Sequence, residues 1–465
     1  MLHMDNQINH HKPVKVLEEC QIAPPPSLPS TTLPLTFFDL PWFCCRVPIQ
    51  RIFFYEFPHP THHFLQTTLP ILKHSLSLSL QHFFPFASNL IVPPQPHLSH
   101  IRYLHGDSLS FIVAESTADF TLLASHSPQD VRNWHPLIPT LPPPHVHKDG
   151  TRVFPLMTIQ VTVFPNSGFT ICLTFNHVVG DGKSLHHFIK FWASLCKARG
   201  DLDPSETSMS LPSHERTRVK DPKGLKLFYS QAFAIMEPKI TEFTGLRYRF
   251  TVVLSRKHTE KLKNWVSLKL SVYDSGALHI STFVVTCSLI WVSLVGSEES
   301  TQDSDKLCFL IFAADSRDCP EFSLTSTYFG NCVATCMVAM KRSEIVGENG
   351  IVAAAKAIER EIRDFKSDAL RKFENLISDS RELEKLGKSA LIIASSPKFG
   401  VYQSDFGWGK PKKCEVAHVE SSAFMSLSEC RDEKEGIEVG LALERTQMNK
   451  FNNNLEKELH NINKC

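Results

Sequence analysis

The chain predicts an α/β fold in two domains, and three observations carry that prediction. Strand-like alternation and helix-like periodicity succeed one another along the sequence, and 465 residues exceed what one average core organises. A polar stretch over residues 197–225, interrupted by Gly200, Pro204, Pro212, Pro222 and Gly224, separates two halves of similar make-up. The expected division is therefore a first domain over 1–196, a linker over 197–225 and a second domain over 226–465.

The elements follow in order. Residues 16–60 are rich in Pro and aromatics and end in the strand-like Ile52-Phe53-Phe54-Tyr55. Leu65, Leu69, Leu72, Leu76 and Leu80 then recur at helical spacing. Short strands and Pro-rich loops fill 90–155. Met157, Ile159, Val161 and Val163 alternate with Thr158, Gln160 and Thr162, the pattern of a half-buried strand. Pro165-Asn166-Ser167-Gly168 signals a hairpin, and Phe169, Ile171, Leu173 and Phe175 resume the apolar phase. Leu185, Phe188, Ile189, Trp192, Leu195 and Cys196 predict a helix, with Ser184 as its candidate N-cap. The second half repeats the mixture: a strand near 247–254, a helix from about Thr282, a strand at 308–313, a long helix over 351–365, and strands at 390–394 and 437–443. Met448, Phe451, Leu455 and Leu459 describe an amphipathic final helix.

Composition excludes several classes of function. Basic and acidic residues nearly cancel, 49 against 48, so no general field draws nucleic acid or an anionic membrane. The 13 cysteines form no CxxC pair, and Cys44-Cys45, Cys332 and Cys336 lie among apolar residues, which points to reduced thiols in a cytoplasmic protein. Met1 to Lys15 lacks the apolar core of a secretory signal. Residues 275–297 carry no Asp, Glu, Lys or Arg, yet His279 and repeated Ser and Thr suit a buried helix better than a membrane span. A monomer without membrane or nucleic-acid partners is expected.

Chemistry concentrates at Phe175-Asn176-His177-Val178-Val179-Gly180-Asp181-Gly182, where the strand breaks into the helix. An imidazole titrates near neutral pH, so His177 could take a proton from a hydroxyl and return it. Asp181 could orient the ring, or the two glycines could turn it away to a structural cation. The residues alone equally allow a buried core histidine followed by an Asp-Gly turn. His186 and His187 belong to no Cys/His set of zinc spacing, and no metal is expected. A second constellation is Ser404 to Lys413, with two glycines, two aromatics and three lysines. It reads as a phosphate-contacting loop or as a structural bulge with a lysine-protected edge.

Together His177/Asp181 and Asp405-Phe406-Gly407-Trp408-Gly409 resemble the HxxxD and DFGWG signatures of the plant BAHD acyl-CoA-dependent acyltransferases. The resemblance extends to Leu35-Thr36-Phe37-Phe38-Asp39, to Ser281 through Cys287, and to Tyr328-Phe329-Gly330-Asn331-Cys332. The last is similar to a motif of the anthocyanin and flavonoid glucoside branch. Phe86-Ala87-Ser88-Asn89, His214-Glu215-Arg216 and Asp318 through Ser323 depart from the family's usual wording.

The resemblance implies two chloramphenicol acetyltransferase-like α/β domains joined by a crossover, with the active site in a channel between them. It implies no permanently bound cofactor, an acyl-CoA co-substrate, and a phenolic or flavonoid glucoside as acceptor. His177 would deprotonate the sugar hydroxyl in a ternary complex with no acyl-enzyme, and no G-x-S-x-G elbow argues otherwise. Asp181 would stay structural, with Arg317 its candidate cation, and Asp405, Gly407, Trp408 and Gly409 would hold the channel's architecture. Ser396, beside Ser395, is a candidate oxyanion donor. Ser281 and Thr282 open a helix whose N–H groups could meet CoA phosphate, with Lys261 or Lys263 supplying charge. Malonyl-CoA is the expected donor, its carboxylate answered by Lys183, His186 or His187. The alternatives are a hydroxycinnamoyl donor in an apolar pocket, or a non-catalytic member of the fold that binds a small molecule.

Overall fold

A computed structural model describes residues 14–43, 48–95, 97–199, 210–234, 246–273, 279–298, 305–386, 390–420 and 423–464. Cys44, Cys45, the first 13 residues and 200–209 of the expected linker lie outside the described residues.

Three sheets organise the described residues. The first runs in the order Lys15–Ile22, Leu109–Glu115, Met157–Phe164, Gly168–Phe175, Ile49–Glu56 and Lys413–Val416. The second runs Val333–Lys341, Leu307–Asp315, Ala390–Ile393, Phe424–Glu429, Ile437–Leu443, Tyr248–Leu254 and Gln129–Asp130. The third, Thr31–Pro34, His100–Tyr103, Asn89–Val92, Arg152–Pro155 and His145–Val146, belongs wholly to the first half of the chain.

Each large sheet therefore ends in a strand from the other half. Lys413–Val416 pairs antiparallel with Phe54 through Arg51, and Asp130 and Gln129 pair with Tyr248 and Arg249. The two halves interlock, so a cut through 197–225 would leave both sheets incomplete. Where the two large sheets meet, Arg249 donates to Glu415 and to the carbonyls of Val416 and Val419, and Lys413 pairs with Glu415 at 2.9 Å. All three charged side chains are buried.

The expected hairpin forms from Met157–Phe164 and Gly168–Phe175, with Met157 opposite Phe175. It is buried on both faces, not one. The second face is covered by Phe120, Leu123, Trp134 and Leu137, and Gln160 is satisfied there, donating to the Pro136 carbonyl at 2.9 Å and to the Thr162 hydroxyl at 3.0 Å, whereas the buried Thr170 and Thr174 hydroxyls have no partner among the described residues.

The leucine-spaced helix also differs from expectation. It begins at Thr61, passes through a π turn over Phe64–Thr68 and continues as Leu69–His82. Pro70 explains the wide turn, since it lacks an N–H for the preceding turn and its ring crowds the carbonyl four residues back. The uncharged stretch is a helix, Thr282–Ser297, buried along almost its whole length against Gly350–Ser367 and Arg445–Lys464. No helix among the described residues is long and apolar enough to cross a membrane.

Candidate active site

The HxxxD residues occupy the turn where Gly168–Phe175 leaves the first sheet. Asn176 caps a short 3-10 turn, His177–Val179, by accepting from the Val178 N–H at 3.0 Å. The N-cap of the helix Gly182–Lys197 is Asp181, not Ser184: the Asp181 Oδ1 accepts from the Ser184 N–H at 2.9 Å. The Ser184 hydroxyl is used elsewhere, donating to the Gly330 carbonyl at 3.0 Å and accepting from its N–H at 3.1 Å. Gly182 is required for packing, because a Cβ there would lie 2.6 Å from the Phe399 ring.

Asp181 turns away from the imidazole. Its Oδ2 meets the Arg317 Nη1 at 2.9 Å and accepts from the Cys332 N–H at 3.1 Å, while Arg317 Nη2 donates to Oδ1 at 3.1 Å. Arg317 also donates to the carbonyls of Tyr328 and Gly330 and pairs with Asp315 at 2.9 Å. This two-pronged pair ties the corner to the loop before Val333–Lys341. Its acidic neighbours hold the Arg317 guanidinium well above its ordinary range despite burial.

The imidazole itself is oriented by a residue 154 positions away: His177 Nδ1 lies 3.0 Å from the Asn331 Oδ1. The Asn331 amide has a fixed sense, since its Nδ2 donates to Asp39 Oδ1 at 3.1 Å, to the His177 carbonyl at 2.9 Å and to the Val178 carbonyl at 3.3 Å. Its oxygen therefore faces the ring, Nδ1 must carry the proton, and Nε2 holds the free lone pair. Behind Asn331, the fully buried Asp39 carboxylate accepts from the Thr36 N–H and hydroxyl, both at 2.8 Å, and from buried Arg216. Burial lowers the pKa of His177, opposed by its own backbone hydrogen bond, the Asp181 charge and Asn331, and assisted by Arg51. The ring is thus a neutral base at physiological pH. Trp42 lies flat on it, ring centroids 3.7 Å apart and planes within 5°.

The other expected site residues scatter. Asp405 accepts from the Gly407 and Gly409 N–H groups, both at 2.9 Å, and from the Lys197 ammonium at 2.6 Å. The loop needs its glycines, at φ 106° and 94°. Trp408 packs edge-on against Phe57 and Phe169. Lys197 ends the 16-residue helix that Asp181 begins, so this loop stands about 24 Å of helix from His177. Lys412 pairs with Glu56 and Lys413 with Glu415, which leaves the phosphate-loop reading without those two lysines.

Lys183 pairs with Asp315 at 2.8 Å and, with His186, His187, Lys190 and Lys398, lines a cavity of about 380 Å³ whose lining does not include His177. Burial depresses the pKa of both His186 and His187, so neither offers a fixed cation. Ser395 donates to the Leu427 carbonyl and accepts from its N–H, both at 2.7 Å, whereas Ser396 caps the turn Pro397–Phe399. Lys261 and Lys263 lie on the helix Arg256–Tyr273, and Ser281 caps Thr282–Ser297 by accepting from the Val284 N–H at 3.3 Å. Neither the two serines nor Lys261, Lys263, Ser281 and Thr282 line the cavity.

In the sequence, Asp39, Asn331 and Arg216 stand out only as parts of longer motifs, and Trp42 does not stand out at all. Nothing local marks them, because the bonds that give them meaning span up to 292 residues. Among the described residues, no three His, Cys, Asp or Glu side chains converge as a metal would need.

The chain matches the family model described as the Transferase family over residues 12–458. It is 40% identical to an Arabidopsis thaliana coumaroyl-CoA:anthocyanidin 3-O-glucoside-6''-O-coumaroyltransferase, covering 97% of this chain and 98% of that one. It is 36% identical to a Dahlia pinnata malonyl-coenzyme A:anthocyanin 3-O-glucoside-6''-O-malonyltransferase, covering 96% and 97%. In fold it is similar to vinorine synthase, with a TM-score of 0.69 at 18% identity over 94% of this chain and 96% of that one.

Proposed function

The chain belongs to the Transferase family, the BAHD acyltransferases, and from that premise we propose that it moves an acyl group from coenzyme A to a sugar hydroxyl of a phenolic or flavonoid glucoside, with His177 as general base. The observation that carries this reading is the Asn331 bond to Nδ1, which leaves Nε2 free and neutral.

The glucoside hydroxyl gives its proton to His177 Nε2 as its oxygen attacks the thioester carbonyl. The new C–O bond forms, the tetrahedral oxyanion collapses, the C–S bond breaks, and the departing thiolate takes the proton back from the imidazolium. With Ser395 tied to Leu427, Ser396 is the hydroxyl proposed for the oxyanion. Asp181 and Arg317 hold the corner, and the Asp405 loop fixes the far end of the same helix. Lys261, Lys263 and the start of the helix at Ser281 and Thr282 are proposed for the CoA phosphates.

For the donor we infer a hydroxycinnamoyl group. Lys183 is already neutralised by Asp315 and its cavity does not include His177, so the cation expected to answer a malonyl carboxylate is not offered there. The 40% identical coumaroyltransferase supports the same choice. Malonyl transfer is the second reading, favoured by the Dahlia relative and by buried Arg51, whose Nε lacks a hydrogen-bond partner among the described residues and whose charge acts on His177.

The test is to offer p-coumaroyl-CoA and malonyl-CoA with a panel of anthocyanin and simple phenolic glucosides, with His177→Ala in parallel. Thiol release from wild type, reduced by about 10³-fold or more in the folded variant, is expected. Thiol release from neither donor would favour a binding protein without turnover.

A further inference from the structure

Trp42 belongs to the short helix Leu40–Phe43, three residues after Asp39. Asp39 is anchored to Thr36, Arg216 and Asn331, so the backbone that carries the indole is fixed by the same bonds that orient the imidazole. The result is a face-to-face stack, 3.7 Å between centroids and 5° between planes. Both rings are partly buried and keep some access to solvent.

The electrostatics around the ring leave a problem that the stack addresses. When His177 accepts a proton it becomes a cation in a place that already holds positive charge. Arg51, on the strand Ile49–Glu56, lowers its pKa, while nearby His418, held neutral by burial and accepting from the Gln50 N–H, brings no charge of its own. The Asp181 carboxylate favours the cation but is committed to Arg317, and the Asp39 carboxylate acts only through the neutral Asn331 amide. No carboxylate touches the ring among the described residues. A π face is the remaining partner for a positive ring, and indole is the best of the aromatic faces for that purpose.

We propose that Trp42 is a positioning residue for acyl transfer, whose indole face stabilises the imidazolium that His177 becomes while the sugar proton is in transit. The stack takes the place that a carboxylate fills in Ser-His-Asp systems, where an acid holds the ring and steadies the ion. Here the two duties are divided: Asn331 sets the tautomer and Trp42 meets the charge. The inference rests on His177 as the general base.

The experiment compares Trp42→Leu, Trp42→Phe and His177→Ala with wild type through full pH profiles of kcat/KM for whichever donor is used, with thermal unfolding to confirm each fold. Activity requires neutral His177, so the acid limb reports its pKa. Removing the π face makes the imidazolium harder to form, which moves that limb to lower pH. Trp42→Leu is expected to lower the limb by about 0.5–1 pH unit and kcat by roughly 3–10-fold, with Trp42→Phe between it and wild type. An acid limb in a folded Trp42→Leu that coincides with the wild-type limb would overturn the inference, whatever the loss of rate. If His177→Ala keeps wild-type turnover, the general-base reading itself has failed, which is a separate outcome.

Discussion

The proposed proton acceptor, His177, is defined less by its own type than by the side chain that fixes its tautomer. Asn331 can bond His177 Nδ1 only through its oxygen, because Asp39 and two carbonyls claim its nitrogen. Asn331→Leu removes that acceptor at similar volume, leaving the ring free to place its proton on Nε2 and to rotate. We expect kcat to fall by about 10²-fold with KM little changed, measured under saturating donor. Asn331→Asp is expected to recover part of the loss, since a carboxylate oxygen also accepts from Nδ1. His177 was legible in the sequence because strand and helix periodicities meet at it. Asn331 was not, because its partners are assembled from distant segments.

The helix Gly182–Lys197 joins the two sequence signatures as the two ends of one rod. Asp181 caps its start and Arg317 holds that cap, while Lys197 at its end reaches Asp405. Asp181→Asn tests what the first end contributes. An asparagine caps a helix as well as aspartate does, so the substitution removes charge and keeps the cap. It leaves Arg317, 1% exposed, with Asp315 as its remaining acid. The variant should lose about 3 kcal/mol by denaturant unfolding, while the folded fraction retains turnover within a few-fold. Wild-type stability with abolished turnover would instead give Asp181 a direct part in the chemistry. The periodic residues from Leu185 to Cys196 announced this helix, and so did the hairpin before it. The sequence could not reveal its true cap, since Ser184 is as good an N-cap by type as Asp181. What decided between them was Gly330, which takes the Ser184 hydroxyl.

Across the whole molecule, the two large sheets are joined by a buried charge cluster in which Arg249, from the second sheet, and Lys413, from the last strand of the first, share Glu415. Those cations hold the Glu415 carboxyl at about 2, against an ordinary 4.5. A depressed acid stabilises fully above its unfolded pKa and loses that contribution as pH falls towards its folded one, so the loss runs from about 4.5 down to about 2. Glu415→Gln should cost about 3–5 kcal/mol at neutral pH by leaving two buried cations without an acid. Thermal unfolding of the variant should also vary less with pH across that acid window than wild type does. The exchanged strands that meet at this cluster were the least legible part of the fold: Lys-Cys-Glu-Val alternates over only four residues and buries the charged positions that alternation would turn outward, and Gln129–Asp130 is two residues long. Their pairing has a consequence for how the protein is born. On the ribosome, the edge formed by Ile-Gln-Arg-Ile-Phe-Phe-Tyr-Glu must wait unpaired until Lys413–Val416 emerges, tens of seconds at about 5–20 residues per second. During that interval the nascent chain presents an aromatic, adhesive border to its neighbours, and its yield in a cell depends on what shields that border before the last strand arrives.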